Sequence, residues 1–175
     1  MATSTQQKQE LYKTIWQIAN DLRGAVDGWD FKQYVLGMLF YRYISENITA
    51  YLNDLEHKAG NAGFDYAAFN DEQAQTAKAQ IVKEKGFFIL PSQLFENVRR
   101  NAKDNENLNM TLAEVFKSIE ASAIGTDSEQ DMRGLFDDLD VNSSKLGATV
   151  SKRNERLVKI LNAIGEMNQI GRAHV

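Results

Sequence analysis

The sequence predicts a mainly α protein: a compact multi-helix bundle around a buried central helix at about 31–55, with room for one short hairpin near 87–90. Three observations carry this. A single proline, Pro91, interrupts 175 residues rich in Ala, Leu, Glu, Gln, Lys and Asn, so long stretches are free of helix breakers. Apolar residues recur at spacings of three and four in successive segments. A hydrophobic share of 43% beside a charged share of 25% is enough to bury one core, and one domain is the default at this length.

The elements follow in order. Leu11, Ile15, Ile18, Ala19 and Leu22 lie on one helical face, so a first helix is expected over about 6–23, stopped by Gly24. A glycine-bracketed turn, Gly24-Ala25-Val26-Asp27-Gly28-Trp29, leads to Asp30 in an N-cap position. From Tyr34 to Ile44 nearly every side chain is apolar or aromatic, the mark of a helix buried all round. An amphipathic continuation through Ile48, Tyr51, Leu52 and Leu55 ends at Gly60 and Gly63. A polar, alanine-rich helix is expected over 71–85, closed by Gly86. Phe87-Phe88-Ile89-Leu90 then reads as a short extended run ended by Pro91. Ser92 is placed to cap a helix bearing Leu94, Phe95 and Val98. Leu112, Val115, Phe116 and Ile119 mark another helix after Asn109, ended by Gly125, and Leu157, Ile160, Leu161 and Ile164 mark the last one.

Charge and composition bound the function. Cysteine is absent, which excludes disulfides and thiolate metal sites, and a cytoplasmic address fits best. The first ten residues hold no apolar core of a signal peptide, and no uncharged run approaches the roughly 18 residues of a membrane span. A net charge of −4 argues against holding nucleic acid by bulk charge. The charge is nonetheless uneven. Asp127, Glu129, Asp131, Asp137, Asp138 and Asp140 face only Arg133, whereas Lys145, Lys152, Arg153, Arg156 and Lys159 face only Glu155.

The sequence carries no catalytic motif of the common kinds. The glycine-lysine spacing of a P-loop, the glycine triplet of a dinucleotide fold and a Gly-x-Ser-x-Gly elbow are all absent. Asp138-x-Asp140-x-Asn142 starts like a calcium loop, but Ser143 replaces the required glycine and Thr149 the bidentate glutamate, so a capped acidic turn is the better reading. His57 and His174 stand far apart, with His57 between Glu56 and Lys58 as a solvated side chain. Trp29, Phe31, Tyr34, Phe40, Tyr41 and Tyr43 admit a base-stacking platform, but their helical spacing favours core packing. Arg99-Arg100 with Lys103 could meet phosphate, yet Asp104 and Glu106 follow, which favours a solvated face. The DNA-backbone candidates are therefore Lys145, Lys152, Arg153 and Arg156, weighed against an ordinary exposed helix face. No catalytic, cofactor-binding or metal residue is assigned in this chain.

The order of local signatures resembles the N-terminal domain of the M (DNA methyltransferase) subunit of type I restriction-modification systems, from about Leu11 to Asn168. Its opening is Ile15-Trp16-Gln17-Ile18-Ala19-Asn20-Asp21-Leu22-Arg23-Gly24. The most distinctive stretch is Trp29-Asp30-Phe31-Lys32-Gln33-Tyr34-Val35-Leu36-Gly37-Met38-Leu39-Phe40-Tyr41-Arg42-Tyr43-Ile44-Ser45. The run ending at Pro91, the helix at 112–118, and Leu135-Phe136-Asp137-Asp138-Leu139-Asp140 with Ser144-Lys145-Leu146-Gly147 and Arg153-Asn154 follow in the family's order.

What the resemblance implies is a helical domain at 11–168, behind a flexible 1–10, with 169–175 a truncated end in which Arg172-Ala173-His174-Val175 is open to being a cloning remnant. It implies a longer protein whose following domain uses S-adenosylmethionine to methylate adenine at N6. That domain's Asn-Pro-Pro-Phe/Tyr signature cannot occur where the one proline follows Leu90, so this chain alone is expected to be non-catalytic and to hold no cofactor. The implied partners are the specificity subunit, a second M subunit, the restriction subunit and double-stranded DNA. The implied role is to aid assembly and to clamp DNA. A purely structural helical interaction module, without DNA contact, is the alternative.

Overall fold

A computed structural model describes residues 31–137 and 139–167, together with Lys13, which is helical and exposed. The rest of the expected first helix, the turn at 24–29 and the Asp30 cap lie outside the described residues. Seven α-helices follow in the described part: α1 (Phe31–Lys58), α2 (Asp71–Thr76), α3 (Lys78–Lys85), α4 (Phe95–Ala102), α5 (Leu108–Ala123), α6 (Glu129–Asp137) and α7 (Val150–Gly165). Short 3-10 turns stand at Tyr66–Ala68 and Pro91–Gln93. The architecture is the mainly α bundle that the periodicity predicts.

The expected central helix is α1. Val35, Met38, Leu39, Tyr41, Ile44 and Ile48 are all buried, and burying each large apolar side chain is worth about 1.5–3 kcal/mol. Beyond Ile48 burial lessens: Leu52 still packs half-buried against the core, whereas Leu55, also expected on the apolar stripe, is 44% exposed. The core has a second axis. Leu157, Ile160, Leu161 and Ile164 on α7 are wholly buried, and α7 packs against α1, α4 and α5.

An interior glycine in α1 would ordinarily cost a helix about 1 kcal/mol relative to alanine. Gly37 is needed for packing: a Cβ there would stand 2.8 Å from a methyl of Leu139, which is itself buried. Gly37→Ala is therefore expected to lower stability by about 1 kcal/mol, the overpacking exceeding the gain in helix propensity. Urea unfolding checks this, and a stabilised variant would mean that Leu139 yields freely.

Polar side chains of α1 reach parts of the chain that are distant in sequence. Tyr34 donates to the carbonyl of Asp140 (2.7 Å), Tyr41 to that of Gln93, and Ser45 Oγ accepts from the Phe95 amide (3.1 Å). Arg42, only 7% exposed, donates to the carbonyls of Ile164 and Met167 and, through Nε, to Glu46 (2.8 Å). Its guanidinium thus sits on the carbonyl end of α7, where a positive charge suits the helix dipole. Arg99 lies against the same end, so close that a Cβ on Gly165 would fall 2.0 Å from its Nε.

Three local expectations are corrected and one helix is added. The hairpin near 87–90 is absent among the described residues: Phe87–Leu90 is extended but unpaired, and side chains replace a strand ladder. Ser122 Oγ accepts from the Phe88 amide (2.9 Å), Tyr66 donates to the Ile89 carbonyl (2.6 Å), and Thr126 donates to that of Gly86 (2.7 Å). The helix over 71–85 is two helices that meet at Ala77, with Ala74 buried in the first and Ile81 in the second. It does end at Gly86, whose φ of +86° is the left-handed cap that glycine adopts without strain. Ser92 caps nothing; its amide (3.0 Å) and hydroxyl donate to the Asp71 carboxylate. Finally, the acidic stretch forms α6, held by buried Met132 and Phe136 one turn apart, with Glu129 and Asp131 favourably placed at its amide end.

Candidate subunit and nucleic-acid interface

The basic stretch lies at the N-terminal end of α7. Thr149 accepts from the Lys152 amide (3.1 Å) and caps that helix. The preceding turn folds back on it: Ser143 Oγ accepts from the Lys145 amide (3.2 Å), and a Cβ on Gly147 would stand 3.0 Å from the Lys152 side chain. Lys145, Lys152, Arg153 and Arg156 are thereby brought to one end of the bundle.

Their roles differ. Arg153 donates to the carbonyl of Gly147 (3.0 Å) and Arg156 to that of Leu146 (2.7 Å), both half-buried, so these two guanidinium groups brace the turn against α7. Lys145 and Lys152 are exposed, and Lys152 makes only a loose 3.7 Å ion pair with Glu155. Such exposed pairs contribute little and leave the ammonium free to exchange partners.

An asparagine network that sequence reading missed joins this end to α5. Asn154 accepts from the Asn109 amide (3.0 Å) and donates to the Glu106 carbonyl (2.8 Å), and Asn109 donates to Asn142 (2.5 Å). Asn109 and Asn154 are both buried, so these bonds satisfy groups that would be costly to leave unpaired. The signal available in the sequence was three asparagines in segments otherwise set by apolar spacing. The acidic turn beside it forms as expected, with Asp140 Oδ1 accepting from the Asn142 amide (3.0 Å); Asp138 lies outside the described residues.

The remaining candidates fall elsewhere. Arg99 is engaged by Glu96 (2.9 Å) and by the end of α7, while Arg100 and Lys103 are exposed. Tyr34 and Tyr41 are core residues and Phe40 and Tyr43 are half-buried at the core's edge, which is the packing reading of the aromatic group; Trp29 lies outside the described residues. His57 is exposed, its Nε2 2.9 Å from the Phe64 carbonyl, and His174 lies outside the described residues. On α5, burial and the nearby Asp137 push the Glu120 carboxyl up, partly countered by Arg133. Among the described residues no group of three or more His, Cys, Asp or Glu side chains could hold a metal, and no helix is long and apolar enough to cross a membrane.

Fold and site together define a helical domain whose outward-facing basic groups sit at a capped helix end and whose buried polar groups tie distant elements together. The chain belongs to the HsdM N-terminal domain family, whose model matches residues 11–164. It is 45% identical over 170 residues to the type I restriction enzyme MpnII methylase subunit of Mycoplasma pneumoniae, covering 93% of this chain and 31% of that protein. It is also similar to the crystal structure of the type I restriction-modification system methyltransferase subunit from Streptococcus thermophilus. There the TM-score is 0.66 and the identity 28%, with 94% of this chain and 35% of that one covered. The chain thus spans about a third of the length of the relatives it matches.

Proposed function

We propose that this domain aids subunit assembly and clamps the DNA backbone in a type I restriction-modification methylase, while a following S-adenosylmethionine-dependent domain methylates adenine at N6. Its partners on this reading are the specificity subunit, a second M subunit, the restriction subunit and double-stranded DNA, in the cytoplasm. The domain extends over 11–168. The family and the methylase relatives support the setting. One observation carries the DNA contact: Lys152 and, in the preceding turn, Lys145 are both exposed at the capped amide end of α7, where the helix dipole also favours an anion. Arg153 and Arg156 would serve by holding the turn that presents Lys145. Contacts of this kind position a protein on DNA without reading sequence.

The test is a Lys145→Glu/Lys152→Glu variant of the complete enzyme. Affinity should fall equally on all DNA sequences, and the slope of log affinity against log salt should shrink by roughly 1 for each lysine. An unchanged affinity and slope would remove the DNA role. The alternative, a helical interaction module that touches protein only, is favoured by the net charge of −4 and by the use of both arginines inside the fold. It predicts that the variant assembles and binds DNA as the parent does.

A further inference from the structure

The carbonyl end of α7 is held by two arginines from other helices. Arg42 of α1 donates to the Ile164 and Met167 carbonyls. Arg99 of α4 lies directly on the backbone between them: an added Cβ on Gly165 would stand 2.0 Å from its Nε, 2.2 Å from its Cδ and 2.6 Å from its Cζ. Only glycine leaves room for a guanidinium on that turn. Ile164 is wholly buried and Met167 packs half-buried on the core, so the path of the chain is set as far as residue 167.

Stability does not account for this seat. The Nε of Arg99 is shielded from solvent and donates to nothing among the described residues, and an unmet buried donor is costly. Its Nη1 pairs with Glu96 (2.9 Å), a carboxylate 51% exposed, and such a pair contributes little. Gly165 forgoes the helix propensity that alanine would bring to the last turn of α7. Each of these features weakens the fold locally, yet together they pin one point, the place where the chain leaves α7.

That place matters because of what lies at the other end. α7 has 16 residues and is about 24 Å long. Lys152 is exposed at its amide end, and the seated Arg99 holds its carbonyl end. A change of direction at the exit therefore swings whatever follows relative to the lysines.

We infer that Arg99 and Gly165 are positioning residues for methyl transfer: the guanidinium seated on the glycine fixes the direction in which the chain leaves the helical domain toward the catalytic one. This rests on the reading above, in which a methylating domain follows. Neither residue touches substrate on this account. Their effect is geometric, since a misplacement of about 1 Å at a reacting centre can cost roughly 100-fold in rate.

The experiment compares Arg99→Ala, Gly165→Ala and the double variant in the complete enzyme, reading DNA affinity and the single-turnover rate of methyl transfer at saturating DNA. Either single substitution empties the seat, one by truncating the guanidinium and the other by displacing it with a Cβ. Each should lower the rate roughly fivefold or more at unchanged DNA affinity. The double variant should match the singles, because all three lose the same contact. Gly165→Ala should fold, as alanine favours the helix and the displaced group is the end of a flexible side chain; thermal melts of this chain check that. Parent-like rates in both singles, additive losses, a loss of DNA affinity in place of rate, or a fall in rate that tracks a fall in melting midpoint would each overturn the inference. A parent enzyme that transfers no methyl group would overturn the underlying reading as well, which separates the two failures.

Discussion

Phe116→Ala is expected to lower the unfolding free energy by about 3–5 kcal/mol, the upper range for removing an aromatic ring from a core. The ring of Phe116 stacks on Phe136 at 4.6 Å between centroids and meets Tyr41 edge-on at 5.3 Å, and Tyr41 meets Phe95 edge-on at 5.4 Å. One line of rings thus joins α6, α5, α1 and α4. Truncating Phe116 leaves a cavity at the middle of that line and removes two favourable ring contacts beyond the lost burial. In thermal melts the midpoint should drop by roughly 6–20 °C, whereas Phe116→Leu, which keeps most of the volume, should cost about 1–1.5 kcal/mol. A loss below that from the alanine variant would show that α6 closes over the gap.

Arg42→Met should cost about 2–4 kcal/mol, although methionine replaces much of the apolar stem. The loss comes from three acceptors abandoned at once. The Ile164 carbonyl in the last turn of α7 would keep only the Met167 amide (3.3 Å), and the Met167 carbonyl just beyond the helix would lose the guanidinium donor; thinly satisfied groups at a helix end are unfavourable. Glu46 contributes less, since it is 41% exposed and can rehydrate. Arg42→Lys should recover under half of the loss, because one ammonium cannot span both carbonyls and Glu46 with the reach of a planar fork. Denaturant titration separates these cases, and amide exchange at 164–167 should accelerate in both variants. A methionine variant as stable as the parent would mean that water caps α7 equally well.

These two residues show how unevenly the sequence speaks. Phe116 was legible as core, since Leu112, Val115 and Ile119 share its helical face and all four are buried. Arg42 stands in an equally regular helix, but a single arginine among apolar neighbours carries no local sign of its partner 122 residues away. Arg153 and Arg156 have partners only 6 and 10 residues back, yet their charges read as outward-facing until the turn at 146–147 is seen to place two carbonyls within their reach. The helix α6 escaped for another reason: two buried residues in two turns make too short a stripe to stand out from six surrounding acids.

The sequence by itself determined the helical class, the buried character of α1 and α7, and the glycine that ends α3, because each depends on spacings of three and four residues or on the backbone freedom of one residue. The resemblance to methylase N-terminal domains rested on those same segments and is matched by the family model over residues 11–164. Only the tertiary structure decided that Phe87–Leu90 is held by side chains without a strand partner, that Gly37 is required by Leu139, and that two of four basic candidates are braces. These contacts and those of Arg42 join residues 6 to 125 positions apart and are set by how turns fold and helices stack, of which a periodicity of three and four residues carries no record.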